Sequence, residues 1–372
     1  MKNHAFKYIK DIDKMKHMRK TILPAALSML IAATFAGCSG NAESSTAQHE
    51  VSSEPIAADE SSSLDLFAMD TYMTLTAYGE NAENALSLAE EKIGQLDELL
   101  STGNTESEIY QLNKKGFATL SDTSALLLQR SFEINEATNG AFDPAVYPLM
   151  ELWGFTTKDY KVPTEDEIKA TLPLTSLSNV SFDSTTNAVK FTVEGTKIDF
   201  GGIAKGYTSA QVMELFKEQG VTSAMVSLGG NVQLLGTKPD GSNWRVAVQN
   251  PEADENYLGI IEASDKAIIT SGGYERYFEQ DGKVYHHIID PKTGYPADSD
   301  LKSVTIISPD GTLADGYSTS LFVMGLDKSI DFWRENSDDF DAVLYTTDGK
   351  IYVTEGIKDS FTSDYEWEVV NK

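Results

Sequence analysis

From about residue 179 the chain becomes a series of short alternating runs: "NVSFDSTTNAVKFTV", "SAMVSLGGNVQLLG", "NWRVAVQNP", "KAIITSGGYERYFEQDGKVYHHIID" and "KSVTIISP". Period-two alternation bounded by Gly, Asn and Asp predicts strands of half-buried sheets joined by tight connections. Two stretches interrupt it with helical spacing, "GYTSAQVMELFKEQG" and "TLADGYSTSLFVMG". Upstream, "LFAMDTYMTLTAYG" reads as one alternating strand. "NAENALSLAEEKIGQLDELLS" and "DTSALLLQRSFEINEATN" read as helices, the second capped by Asp122 or Thr123 and stopped by Gly140. Strands in groups with a few interspersed helices imply an α+β fold with mixed, largely antiparallel sheets. The glycine pairs beginning at 201, 229 and 272 are unevenly spaced, so the chain shows no repeat.

The chain has one cysteine, Cys38, and its position bears on both compartment and chemistry. Lys14, Lys16, Arg19 and Lys20 precede the apolar run "TILPAALSMLIAATFAG", which is too short to span a bilayer comfortably and has the form of a secretory signal. Phe35-Ala36-Gly37-Cys38 resembles a bacterial lipobox with Phe where Leu is usual, which makes Cys38 the expected lipidated residue and residues 1–37 a lipoprotein signal peptide. A start at Met15 or Met18 would give a signal of ordinary length. The expected location is therefore the extracytoplasmic face of a membrane, held by lipid. With Cys38 so used, disulfides, thiol nucleophiles and thiolate metal sites are excluded from the remainder, and any metal is expected to be hard and oxygen-bound.

Residues 38–63 are rich in Ser, Ala and Glu and read as a flexible tether. Residues 64–372 are then the folded body, one large domain or two closely joined lobes. The net charge of the whole chain is −27; residues 1–37 carry seven Lys/Arg against two Asp/Glu, and removing that +5 leaves about −32. Such a surface disfavours nucleic acid, and an anionic ligand would need local cations or backbone donors.

Four stretches could carry chemistry. "KIDFGGIAKGYTSA" runs from an apolar strand through Gly201-Gly202 into a helix. Either the backbone there approaches a phosphate, with Lys205 adding charge, or the glycines only permit tight packing. In "TLADGYSTSLFVMG", Asp315 and Thr319 are four apart, so a carboxylate and a hydroxyl share one helix face and could share a cation; alternatively Asp315 merely favours a helix start. "GAFDPAVYPLMELWGF" holds Asp143 among aromatics, which could be core or a wall for a flat ligand. "YHHIIDPKTGYP" carries the only two histidines of the folded body. In an extended strand Tyr285, His287 and Ile289 face one side and Val284, His286 and Ile288 the other, so only one histidine can face a given cleft.

Taken together, "AMDTYMTL", "ESEIYQLN", "TNGAFDPAVYPLMELWGF", "IDFGGIAKGY", "VSLGGNV", "TSGGYERYF", "HHIIDPKTGYP" and "LADGYSTSLFVMG" resemble, in order and wording, the ApbE family of FAD:protein FMN transferases. The resemblance runs from about residue 64 to about 360. It implies a magnesium-dependent, extracytosolic enzyme that splits FAD at its pyrophosphate and places FMN on a Thr or Ser hydroxyl of an acceptor flavoprotein, releasing AMP. It assigns His287 as the base. Mg2+ would be held by Asp315, Thr319 and a backbone carbonyl at Gly202. Met69, Ala141, Phe142, Asp143, Asp199, Lys205 and Ile289 would line the FAD site.

Two positions depart from the family pattern. Gly103 stands where many members carry a flavin-stacking aromatic, so stacking is expected to be weaker or to come from Trp153 or Tyr274. Gly202 stands where Ala or Thr is frequent. The same base, metal and leaving group would serve a FAD pyrophosphatase in which water is the acceptor. A non-catalytic flavin-binding lipoprotein would need neither base nor metal.

Overall fold

The computed structural model describes residues 60–252 and 256–372. The expected signal peptide, the expected lipidation site Cys38 and most of the expected tether lie outside the described residues. Among the described residues nine strands form the main sheet, in the order β1 (Ser61–Ala68), β2 (Thr71–Tyr78), β6 (Ala224–Leu228), β7 (Asn231–Leu235), β10 (Ala267–Gly272), β13 (Leu301–Ser308), β14 (Asp341–Thr346), β15 (Ile351–Thr354) and β17 (Trp367–Val370). All neighbours in it are antiparallel except β15 and β17. Strand β1 takes in Ser61–Ser63, three residues that the sequence alone groups with the tether.

The expected single strand "LFAMDTYMTLTAYG" is in fact parts of two strands around a two-residue turn, Met69-Asp70. Both turn residues are left-handed, at φ 49° and 56°. The right-handed twist of a hairpin favours such turns, but Asn-Gly or Gly-Gly normally builds them. Met-Asp carries no such signal, and the alternation read straight through it. The β6–β7 turn, Gly229-Gly230, has the same handedness and the usual residues. A side chain at Gly229 would overlap Thr71, so the two turns are packed together.

Three long helices lie on one face of this sheet. Helix α1 (Ala82–Leu100) packs on β1 and β2, α6 (Ala204–Glu218) on β6 and β7, and α7 (Gly311–Met324) on β10 and β13. Period-two burial divides the central strands between two cores: Ile269, Val304 and Ile306 face the helices, while Ile268 and Ile307 face the opposite layer. That layer is a small sheet of β16 (Phe361–Thr362), β9 (Tyr257–Ala263) and β8 (Trp244–Gln249). Burial on both sides explains why β13 is apolar almost throughout.

The remaining pieces lie outside the main sheet and its three long helices. They are α2 (Glu108–Lys115), α3 (Asp122–Ala137), α4 (Tyr147–Leu152), α5 (Glu165–Thr171), α8 (Leu326–Glu335), the small sheet of β3 (Phe117–Thr119), β5 (Ala188–Phe191) and β4 (Val180–Asp183), and the separate hairpin β11 (Tyr277–Gln280) and β12 (Lys283–His286). Helix α3 is capped by Ser121, not by Asp122 or Thr123; Ser121 accepts the backbone N–H of Ser124. It ends at Ala137, three residues before the expected stop at Gly140.

Candidate active site

Two close helix contacts set one wall of the site. Gly206 lies in the first turn of α6, and a Cβ there would overlap the Gly311 carbonyl and Asp315. Without one, α6 and α7 approach until the Gly206 N–H donates to Asp315 Oδ2 at 2.8 Å. Asp315 is not at a helix start, because α7 begins at Gly311 and is capped by Asp310; the macrodipole reading therefore does not apply. The side chain is 3 % exposed, and burial pushes its carboxyl above the ordinary range while the Lys205 ammonium pulls it partly back. A buried carboxylate so placed favours a cation.

Beside these helices lies a cleft of about 580 Å³, in the size range of small-molecule sites. All eleven sequence candidates of the folded body line it: Met69, Ala141, Phe142, Asp143, Asp199, Gly202, Lys205, His287, Ile289, Asp315 and Thr319. Asp315 and Thr319 share a face of α7, as their spacing predicts. The Thr319 hydroxyl lies 3.2 Å from Ser271 Oγ, and Thr270 and Ser271 add further oxygens to the lining. Gly202 faces Phe142, whose ring would come within 2.9 Å of an added Cβ. The donors on this wall are hard oxygens, and among the described residues no group of three or more His, Cys, Asp or Glu could hold a metal. One carboxylate with hydroxyl and carbonyl neighbours is a donor set that would fit a magnesium ion, with its remaining ligands drawn from water or a bound phosphate.

The histidine pair separates as expected, although not by a continuous strand. β12 ends at His286, whose Nε2 lies 3.2 Å from the Ala297 carbonyl and whose ring meets Phe322 edge-on. His287 lines the cleft instead. Its Nδ1 is 3.2 Å from the Arg276 carbonyl, which also accepts the His287 backbone N–H at 3.0 Å. A carbonyl only accepts, so Nδ1 carries the proton and Nε2 keeps a free lone pair. Strict alternation fails just beyond: Ile288 lines the cleft with Ile289, whereas Tyr285 stacks on Phe278 and leans on Trp153.

Burial, with help from the Arg276 charge, lowers His287 to about 3. The ring is thus neutral in the free protein, and an NMR titration should show no inflection between about pH 5 and 8. A step near the ordinary 6.5 would contradict this environment. The unfolded chain takes up a proton near 6.5 that the folded ring refuses until about 3. This residue therefore makes the fold less stable as pH falls through that window.

Asp143 acts in the opposite direction. Its carboxylate caps a short turn, accepting from Ala145 and Leu177 at 2.8 and 3.0 Å, but burial still pushes it up to about 6. It binds its proton first in the folded state, so it favours the fold as pH drops below about 6.

The aromatic substitutes expected for Gly103 are not in the cleft. Trp153 is fully buried, donates its indole N–H to the Gly294 carbonyl at 2.9 Å, and packs with Phe278 and Tyr285 behind the site. Tyr274 packs against Gly272 and is absent from the lining. Gly103 does line the cleft, and the aromatic residues among the lining are Phe142, Tyr147, Phe155 and Phe200. Trp153→Phe should accordingly cost about 1–3 kcal/mol in denaturant unfolding, because the buried carbonyl loses its donor, while flavin affinity by fluorescence titration stays unchanged. A fall in affinity at unchanged stability would restore Trp153 as a flavin contact.

Sequence reasoning left several lining residues unassigned. Asp70, Lys158, Glu275 and Arg276 all face the cleft. The last two stand in the quoted "TSGGYERYF", where residue type was the available signal. Glu275 is an exposed residue whose carboxyl loses hydration among the cleft groups; this and the nearby Asp315 charge push it up to about 7, against the pull of Lys205.

Comparison with known proteins identifies the family. The model of the ApbE family matches residues 69–344. A FAD:protein FMN transferase of Klebsiella pneumoniae (strain 342) is 36% identical over 266 residues, 70% of this chain and 82% of that protein. One from Treponema pallidum is 33% identical over 282 residues, 71% of this chain and 78% of that one. Among solved structures, the ApbE protein of Thermotoga maritima superimposes with a TM-score of 0.75 at 32% identity, covering 81% of this chain and 99% of its own. The Vibrio cholerae flavin transferase ApbE gives 0.73 at 28% identity, with the same coverage. With the family model spanning nearly three quarters of its length and the motif residues gathered in one cleft, the chain belongs to the ApbE family.

Proposed function

We propose that this protein is a FAD:protein FMN transferase that moves FMN from FAD to a Thr or Ser hydroxyl of an acceptor protein and releases AMP. The observation that carries the reading is the placement of His287, with Nε2 free, and of Asp315 and Thr319 on the lining of one cleft large enough for part of a dinucleotide. Family membership supplies the flavin.

In this reading the acceptor hydroxyl enters beside His287. Nε2 takes its proton as the oxygen bonds to the FMN-side phosphorus, and the P–O bond to AMP breaks, AMP keeping the bridging oxygen. The Nδ1–H bond to the Arg276 carbonyl holds the ring in the tautomer that can accept. Lys205, which makes no direct ion pair among the described residues, offers a cation to the pyrophosphate. Asp315, Thr319 and the Gly202 carbonyl would hold Mg2+, which neutralises charge on phosphate oxygens when bound. Burial of the His287 ring keeps it unprotonated and ready, and the dianionic substrate would raise its proton affinity when bound.

The chain would act from a membrane surface, anchored through lipid on Cys38. Among the described residues no helix is long and apolar enough to cross a membrane. Incubation with FAD, magnesium and a candidate acceptor bearing an exposed Thr, followed by intact-mass measurement, tests the reaction. An FMN increment on the acceptor supports transfer; free FMN and AMP with an unmodified acceptor would mean hydrolysis instead.

A further inference from the structure

Arg276 has a backbone role in the mechanism above, but its side chain has none. Its carbonyl holds both the backbone N–H and Nδ1–H of His287, so its guanidinium branches from the peptide unit nearest the base. That side chain also lines the cleft. Its carboxylate neighbour is Asp70, and the contact is loose: Nη1 to Oδ2 is 3.8 Å, with both side chains about half exposed. Asp70 is better engaged elsewhere, since its Oδ1 accepts from Lys158 Nζ at 3.1 Å. No hydrogen bond among the described residues uses the guanidinium's five N–H donors, and an ion pair of this length and exposure contributes little.

Three cations line the cleft, Lys158, Lys205 and Arg276. Lys205 is the leading charge influence on Asp315, whereas Arg276 is the leading one on His287 and on Asp199, with Lys205 acting on both as well. During transfer the imidazole gains a proton beside this guanidinium, which is unfavourable unless an anion lies between them. A planar fork of donors suits two oxygens of one phosphate, where a lysine offers a point charge.

We infer that Arg276 is a substrate-binding catalytic residue whose guanidinium leaves Asp70 to clamp the flavin-side phosphate next to His287. The inference rests on the transferase reading and adds to it the group that orients the phosphorus under attack. The substrate phosphate would take the place of the Asp70 carboxylate, so the loose pair at the rim is a resting position.

The test compares the affinities of FMN and riboflavin by flavin fluorescence in excess magnesium, for the full chain and for Arg276→Gln, Arg276→Lys and Arg245→Gln. The two flavins differ only in the phosphate. Wild-type protein should prefer FMN, and Arg276→Gln should reduce that preference about tenfold or more while leaving riboflavin affinity unchanged. Arg276→Lys should restore part of it. Arg245→Gln, which removes the same charge from an Arg paired with Glu262 on the small outer sheet, should leave the preference as it was. An unchanged preference in Arg276→Gln, or an equal loss for riboflavin, would overturn the assignment. Thermal unfolding of each variant identifies misfolding, and if Arg276→Gln is unfolded the comparison is decided by Arg276→Lys alone. Wild-type protein that binds neither flavin would refute the transferase reading itself, whereas binding without a phosphate preference would refute only the role of Arg276.

Discussion

His287→Ala is expected to lower turnover roughly 10³-fold, within the range for losing a general base, while FAD still binds. Only the imidazole changes: the backbone N–H of residue 287 keeps its bond to the Arg276 carbonyl, and the rest of the lining is untouched. The loss should appear in kcat, read as AMP released per minute, with little change in FAD affinity. His286→Ala provides the contrast. His286 bonds the Ala297 carbonyl and packs edge-on against Phe322, so its removal should cost about 1–2 kcal/mol of stability and leave turnover per folded molecule nearly intact. Equal losses of turnover in both variants would remove the assignment of base to His287.

Asp315→Asn should abolish magnesium-dependent turnover by a similar factor. Asparagine retains an oxygen for the Gly206 N–H, so the α6–α7 contact survives and the variant isolates the charge. Charge neutralisation by a metal on phosphoryl oxygens is worth several kcal/mol, of which roughly 4 kcal/mol corresponds to 10³-fold in rate. Extra magnesium should not rescue the variant, because the buried site has lost its only carboxylate on α7. Folding should be unharmed or improved: burial raises the Asp315 carboxyl, which means that ionising it strains the free protein. Wild-type turnover in excess chelator, or full activity in Asp315→Asn, would show that no metal at this position is needed.

Much of this site was legible because its chemistry rests on residue types with few alternatives. Two histidines in the folded body, one short helical Asp/Thr pair and one Gly-Gly turn leading to Lys205 restrict the candidates, and motif order joins them to a family. The α+β class followed from periodicity alone. Other features depended on contacts that periodicity does not encode. The Met69-Asp70 turn was hidden because neither residue is a turn former, although both adopt φ above 49° or at it beside the cleft. Such left-handed non-glycine residues are strained and tend to persist at functional sites. The cap of α3 was missed by one residue, because Ser121 and Asp122 both suit the position and only the backbone path decides between them. An aromatic beside a motif looks the same in sequence whether it faces ligand or core, so the sequence alone admits Trp153 as a flavin contact. Its bond to Gly294, 141 residues away, decides for the core. The rim charges Asp70, Lys158 and Arg276 converge from three separate loops, so no local pattern could join them.

The most direct test is diffraction from crystals grown with FAD and Mn2+ in place of Mg2+, using the anomalous signal of manganese to locate the metal. A single peak is expected beside Asp315 and Thr319, with a pyrophosphate oxygen in its coordination sphere and His287 Nε2 facing the flavin-side phosphorus across the same cleft. A metal peak remote from Asp315, or a pyrophosphate bound out of reach of His287, would contradict it.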